Sequence, residues 1–165
     1  MDKITIILDT NVFDSANYNF QTGSLKYLEE YIAQGKMDLW IHNISVNEAK
    51  RHIKAKLFDF IQTIRGNKIF KNTLLLEQKY RDVFASMEEE SVVEDGVKAF
   101  DDYLTRTKAR ILNNTCVNID DILSDYFSQK PPFGSGKKKS EFPDAIMISS
   151  ISRTLEWIGY RGLSI

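Results

Sequence analysis

Ile4-Thr5-Ile6-Ile7-Leu8-Asp9-Thr10-Asn11-Val12-Phe13 decides the fold, because it joins an apolar, β-branched run to a carboxylate at its downstream end. A run without polar alternation suits a strand buried on both faces, as in a parallel sheet with helices above and below. In open α/β sheets, ligands gather outside the carboxyl ends of such strands, where Asp9 would emerge. A carboxylate left unpaired beside a buried strand is costly, so Asp9 is the first candidate for chemistry.

The elements that follow fit the same kind of fold. Ser24 can cap a helix that carries Leu25, Leu28 and Ile32 and ends at Gly35, and Met37 to Ile44 reads as a second strand. Ser45-Val46-Asn47-Glu48 fits a capping box opening a helix with Ala49, Ile53, Leu57 and Ile61 on one face. Helical spacing continues over Asn72 to Ser86 and Ser91 to Asn113, with Glu88-Glu89-Glu90 between them as a solvated acidic turn, and Ile119 to Phe127 is a short helix. Gln129 to Lys139, rich in Pro, Gly and Lys, reads as a loop before helix signals resume at Glu141-Phe142-Pro143-Asp144. This order predicts an α/β fold, a three-layer α/β/α sandwich around a central parallel sheet, formed by one domain over 1–165. Residues 71–128 read as a helical insertion or cap, and Gly162 to Ile165 as the opening of a further extended element.

Composition narrows the class. A chain of 165 residues with 42% hydrophobic and 27% charged residues suits one globular domain and excludes a disordered one. The net charge of -1 leaves any polyanion-binding surface to local clustering of Lys and Arg. Cys116 stands alone, which excludes an internal disulfide. No apolar segment approaches the roughly 20 residues that span a bilayer, and Asp2 and Lys3 lead directly into the first strand. The expected setting is cytoplasmic, with no membrane partner.

Three carboxylates share one edge in this arrangement. Asp9 ends the first strand, Glu48 lies in the first turn of the helix after the second strand, and Asp144 lies in the first turn of a later helix. In a parallel sheet, strand ends and the helix starts that follow them face the same side. Acids converging there repel one another unless a cation joins them, and hard oxygen ligands of this kind suit Mg²⁺ or Mn²⁺. Such an ion activates water and stabilises charge on a phosphodiester in the transition state. Each acid also has a structural alternative: Glu48 completes a capping box, and Asp144 and Glu141 complement a helix N-terminus.

Three motifs now stand in order: Ile7-Leu8-Asp9-Thr10-Asn11-Val12-Phe13, Ile44-Ser45-Val46-Asn47-Glu48 and Glu141-Phe142-Pro143-Asp144-Ala145-Ile146. Together they resemble the successive acidic motifs of PIN-domain nucleases, over about the first 50 and the last 30 residues. Lys-Lys-Lys-Ser-Glu-Phe-Pro-Asp-Ala at 137–145 looks most like a PIN-like subgroup found in bacterial proteins. The resemblance implies an Mg²⁺- or Mn²⁺-dependent phosphodiesterase, most often an endoribonuclease, with RNA as substrate and DNA as the alternative. It makes Asp9, Glu48 and Asp144 catalytic metal ligands, adds Glu141 as a further ligand or supporting group, and gives Asn11 and Thr10 supporting roles around Asp9. One departure matters: the family carries a fourth acid after a further strand, and Ile165 falls about where that strand begins. The expectation is therefore either a piece of a longer protein or a short form with a weakened site.

RNA backbone calls for local positive charge. Lys50, Arg51, Lys54 and Lys56 follow Glu48, and Lys137, Lys138 and Lys139 precede Asp144; a solvated helix face and a solvated loop are the alternatives. His42 and His52 read as packing or surface residues, since no partner stands at zinc-like spacing, and Asp14 reads as solvent-facing. The competing function is a catalytically inactive PIN-like module that binds RNA or a protein, with homodimerisation or a further protein chain covering apolar surface. Aspartyl-phosphate chemistry is disfavoured, because it needs a second Asp where Asn11 stands.

Overall fold

The computed structural model describes residues 3–134 and 141–159. Three strands, β1 (Ile4–Leu8), β2 (Met37–His42) and β3 (Arg110–Leu112), form a parallel sheet in that order. The helices are α1 (Thr10–Ser15), α2 (Gly23–Ala33), α3 (Asn43–Gly66), α4 (Lys68–Thr73), α5 (Gln78–Ser86), α6 (Glu89–Arg106), α7 (Ile119–Phe127) and α8 (Phe142–Trp157), so the chain is mostly helical.

Parallel register sets Ile6 beside Leu39, Ile7 beside Trp40, Leu8 beside Ile41 and His42 beside Leu112. Because successive side chains point to opposite faces, the sheet has two different coats. Ile6, Leu39 and Ile41 pack with Phe13 of α1, Leu25 of α2, Ala49 and Ile53 of α3, and Phe100 and Tyr103 of α6. Ile7, Trp40 and Leu112 meet Ile151 and Leu155 of α8 on the other face. Helices on both faces of a parallel sheet are the α/β architecture the apolar run of β1 requires.

Several boundaries differ from those the sequence predicts. Helix α3 starts at Asn43, because His42 Nδ1 accepts from the Ile44 N–H at 3.2 Å and caps it. Ser45 thus lies inside the helix, and the predicted capping box with Glu48 does not form. The helix expected over 72–86 is divided into α4 and α5 by a tight turn at Leu74–Leu76. The acidic triplet is not a turn but the start of α6, where Glu89 and Glu90 complement the helix N-terminus and Glu89 accepts from Arg65 at 3.0 Å. Helix α6 stops at Arg106, where Lys108 takes a left-handed φ of 50° and Ala109 N donates to Leu104 O, and the chain turns into β3.

Within 71–128, then, α6 supplies Phe100 and Tyr103 to the main core and 110–112 join the sheet. Helices α4 and α5 close on the end of α3 around a hollow of about 380 Å³ lined by Phe60, Ile64, Phe70, Tyr80 and Phe84. Helices α3 and α6 pack tightly at Gly96, where a Cβ would lie 2.3 Å from Leu57 Cδ1. The extended element expected at Gly162 and the lysines at 137–139 lie outside the described residues.

Candidate active site

Asp9 stands between β1 and α1 in an extended conformation, at the N-cap position, yet its side chain caps no backbone N–H. It accepts instead from Asn11 Nδ2 at 3.0 Å and from Ser45 Oγ at 3.3 Å. Thr10, 3% exposed, directs its hydroxyl to Glu48 Oε2 at 3.1 Å, with the Ser45 carbonyl at 3.3 Å as its other acceptor. The start of α3 at Asn43 makes this possible, since it moves Ser45 and Glu48 one turn into the helix and turns both toward α1.

Asp144 comes to the same place from the far end of the chain. Pro143 suits the first turn of α8, where the missing N–H costs nothing. Ala145 packs with Ile122 and Phe133 and against Phe142 and Tyr126, so an aromatic cluster anchors the helix start. Ser150 Oγ donates to the Asn113 carbonyl at 2.6 Å, which fixes α8 to the end of β3. The second acceptor near Ser45 Oγ is Met147 Sδ at 3.2 Å, which brings α8 against α3 beside Asp9.

Electrostatics records the convergence. The Asp144 carboxyl is pushed above its ordinary range, first by partial burial and then by the charges of Glu141, Asp9 and Glu48. Asp144 is an exposed residue, so the part of this shift that describes the site is the repulsion among acids brought from β1, α3 and the start of α8. Among the described residues no three His, Cys, Asp or Glu side chains form a ready-made set of metal ligands. Like charges repel, and Asp9 and Glu48 rest on the neutral donors Asn11, Ser45 and Thr10 instead. The donor chemistry nonetheless fits a hard divalent cation, since every acid here offers oxygen.

The basic residues behave differently from one another. Lys50 lies 2.6 Å from Asp101 on α6, and Lys54 faces a hollow it shares with Glu89 and Glu90. Arg51 is exposed on α3. Lys56 and His52 both hold Asp14 at 2.7 Å, so Asp14 is a half-buried ion-pair acceptor and not a free surface acid. His42 is fully buried and caps α3, as a packing histidine would. Burial pushes its pKa down while the backbone of Asn113 opposes this, and the buried Nε2 has no hydrogen-bond partner among the described residues.

Sequence reasoning missed Ser45, Met147 and the Asp14–His52 pair. Ser45 was masked by a plausible capping role, and nothing local links Met147 or Asp14 to residues so far along the chain.

Acids gathered at the carboxyl edge of a small parallel sheet define an α/β protein with an acidic edge where such folds take ligands. A PIN-domain family model matches residues 6–157, and the chain belongs to the PIN-domain family. The PIN domain is a nuclease-type fold; PIN domains bind nucleic acids and generally depend on a divalent metal. No curated protein and no solved structure matches the chain significantly. No helix among the described residues is long and apolar enough to cross a membrane.

Proposed function

We propose that this chain is a metal-dependent phosphodiesterase, an endoribonuclease acting in the cytoplasm. One observation carries the reading: Ser45 Oγ of α3 lies 3.3 Å from Asp9 Oδ1 and 3.2 Å from Met147 Sδ of α8, so the three segments that carry Asp9, Glu48 and Asp144 meet at one place. Asp9, Glu48 and Asp144, with Glu141, would hold Mg²⁺ or Mn²⁺. When bound, such an ion polarises the phosphoryl oxygens and lowers the pKa of a bound water.

The protein's own groups have separable tasks. Ser45 and Asn11 orient Asp9, and Thr10 orients Glu48, which limits the motion each carboxylate must lose on binding a cation. Arg51 offers a guanidinium beside Glu48, suited to a bidentate phosphate contact. Lys50 is in an ion pair with Asp101, but a half-exposed pair of this kind is worth only about 0–1 kcal/mol, so phosphate can compete for it. Lys54 and Lys137 to Lys139 complete the basic set proposed to follow the backbone.

A second reading is a PIN-domain module that binds RNA without cutting it, favoured by the lack of a ready-made ligand set among the described residues. Incubation of single-stranded RNA and single-stranded DNA with the protein and Mn²⁺ decides between them. The proposed function predicts RNA cleavage that Asp9→Asn abolishes. Binding with no cleavage by the unaltered protein would establish the module instead, and cleavage of DNA alone would reassign the substrate.

A further inference from the structure

An acid–base pair lies outside the carboxylate cluster, on α1 and α3. Asp14 is in α1, which opens directly after Asp9, and His52 is in α3, one helical turn beyond Glu48 on the same face. His52 Nδ1 lies 2.7 Å from Asp14 Oδ2, and Lys56 Nζ donates to Asp14 Oδ1 at 2.7 Å. Thr10 meets Glu48 and Asp14 meets His52, so one polar seam between α1 and α3 runs from the acids to this pair.

The pairing fixes which nitrogen can do chemistry. Burial works against the Asp14 charge, but hydrogen bonds from Lys56 and His52, with their charges, outweigh it and hold the carboxyl below its ordinary range. An ionised carboxylate only accepts, so the Nδ1 proton stays directed at Asp14. Nε2 makes no hydrogen bond to a described residue, and the His52 side chain is 36% exposed. Lys56 already neutralises Asp14, so His52 adds to the pair a ring whose second nitrogen is bonded to no described residue.

We infer that Asp14 orients His52 so that Nε2 donates a proton to the leaving oxygen when a phosphodiester is hydrolysed at the neighbouring acids, an assignment that rests on the nuclease reading above. A water oxygen forms a bond to phosphorus as the bond between phosphorus and the leaving oxygen breaks. The leaving oxygen takes the Nε2 proton, and the attacking water loses a proton to bulk solvent. The neutral ring, still donating Nδ1–H to Asp14, regains its proton from solvent. The net change is one diester and one water to one monoester and one alcohol.

Leaving-group dependence tests this. The unaltered protein, His52→Gln and Asp14→Asn are compared with Mn²⁺ on a single-stranded RNA oligonucleotide and on bis(p-nitrophenyl) phosphate, whose phenolate departs without needing a proton. General-acid assistance contributes about 10²–10⁴-fold, so His52→Gln is expected to slow RNA cleavage by about 10²-fold or more. The same variant should change p-nitrophenolate release by less than about threefold, and Asp14→Asn should show the same pattern with a smaller loss. Equal losses on both substrates would overturn the assignment, because the pair would then only hold the helices together. Undiminished RNA cleavage would overturn it as well. If one variant fails to fold by circular dichroism, the other decides by the same comparison. Protein that acts on neither substrate contradicts the nuclease reading itself and the assignment with it. Activity on both that Asp9→Asn abolishes confines any failure to His52.

Discussion

Thr10→Val isolates the contact between the first motif and the second. Valine keeps the shape and β-branching of threonine at a position only 3% exposed, and it deletes the hydroxyl that donates to Glu48 Oε2 at 3.1 Å. A hydrogen bond to a charged group is worth about 1.5–3 kcal/mol. Glu48 is half-buried, so water replaces part of it and a loss of about 1–1.5 kcal/mol is expected. For a domain of this size that lowers the melting temperature by roughly 2–6 °C in metal-free buffer. The more telling number is the coupling to metal. Removing a group that orients a ligand typically weakens a site about 10–100-fold. At Mn²⁺ 100-fold above the unaltered protein's Kd, stabilisation is about 2.7 kcal/mol, and a tenfold weaker site retains about 1.4 kcal/mol. The Mn²⁺-induced rise in melting temperature should therefore shrink to about half. Differential scanning fluorimetry with and without Mn²⁺ reads both effects, and Thr10→Ser, which keeps the hydroxyl, should restore the full rise. An undiminished rise in Thr10→Val would refute the claim that Thr10 prepares Glu48 for a cation.

Two further predictions concern the frame around the site. His42 is held neutral by burial, below its ordinary value of 6.5. As pH falls through 6.5 the unfolded chain takes up a proton the fold refuses, so stability declines, by up to about 1.4 kcal/mol per pH unit. Urea melts at pH 7.5 and 5.5 should show this decline, and His42→Gln should flatten it; an unchanged slope would contradict the assignment. Gly96→Ala gains about 1 kcal/mol of helix propensity but sets a Cβ 2.3 Å from Leu57 Cδ1 and 3.1 Å from Ile53 Cγ2. Overpacking costs about 1–3 kcal/mol; Ile53 is buried and stiff, so a net loss of about 1 kcal/mol by chemical denaturation is expected. A gain would mean that Leu57 moves aside freely.

The parallel sheet was legible because β1 and β2 are apolar runs whose pattern admits few other uses, and the family match agrees with the PIN-domain resemblance. Strand β3 was not legible. Arg110-Ile111-Leu112 continues the helical spacing of α6, and only the tertiary partner at Trp40 to His42 makes it a strand. Ser45 and Glu48 illustrate the same limit at the site. Their spacing satisfies a capping box locally, but burial of His42 starts the helix earlier and leaves both side chains for α1. The pairing of Asp14 with His52 joins residues from separate elements, and no periodicity within either helix announces it.

The metal site is tested most directly by a single titration, the melting temperature of the full chain against Mn²⁺, measured for the unaltered protein and for Asp144→Asn. Asp144 is exposed, so the amide leaves the fold intact while removing one proposed ligand. At 100-fold over Kd a rise of about 5–11 °C is expected in the unaltered protein and none in the variant. No rise in the unaltered protein, or an equal rise in Asp144→Asn, would contradict the claim that these acids form a divalent-metal site.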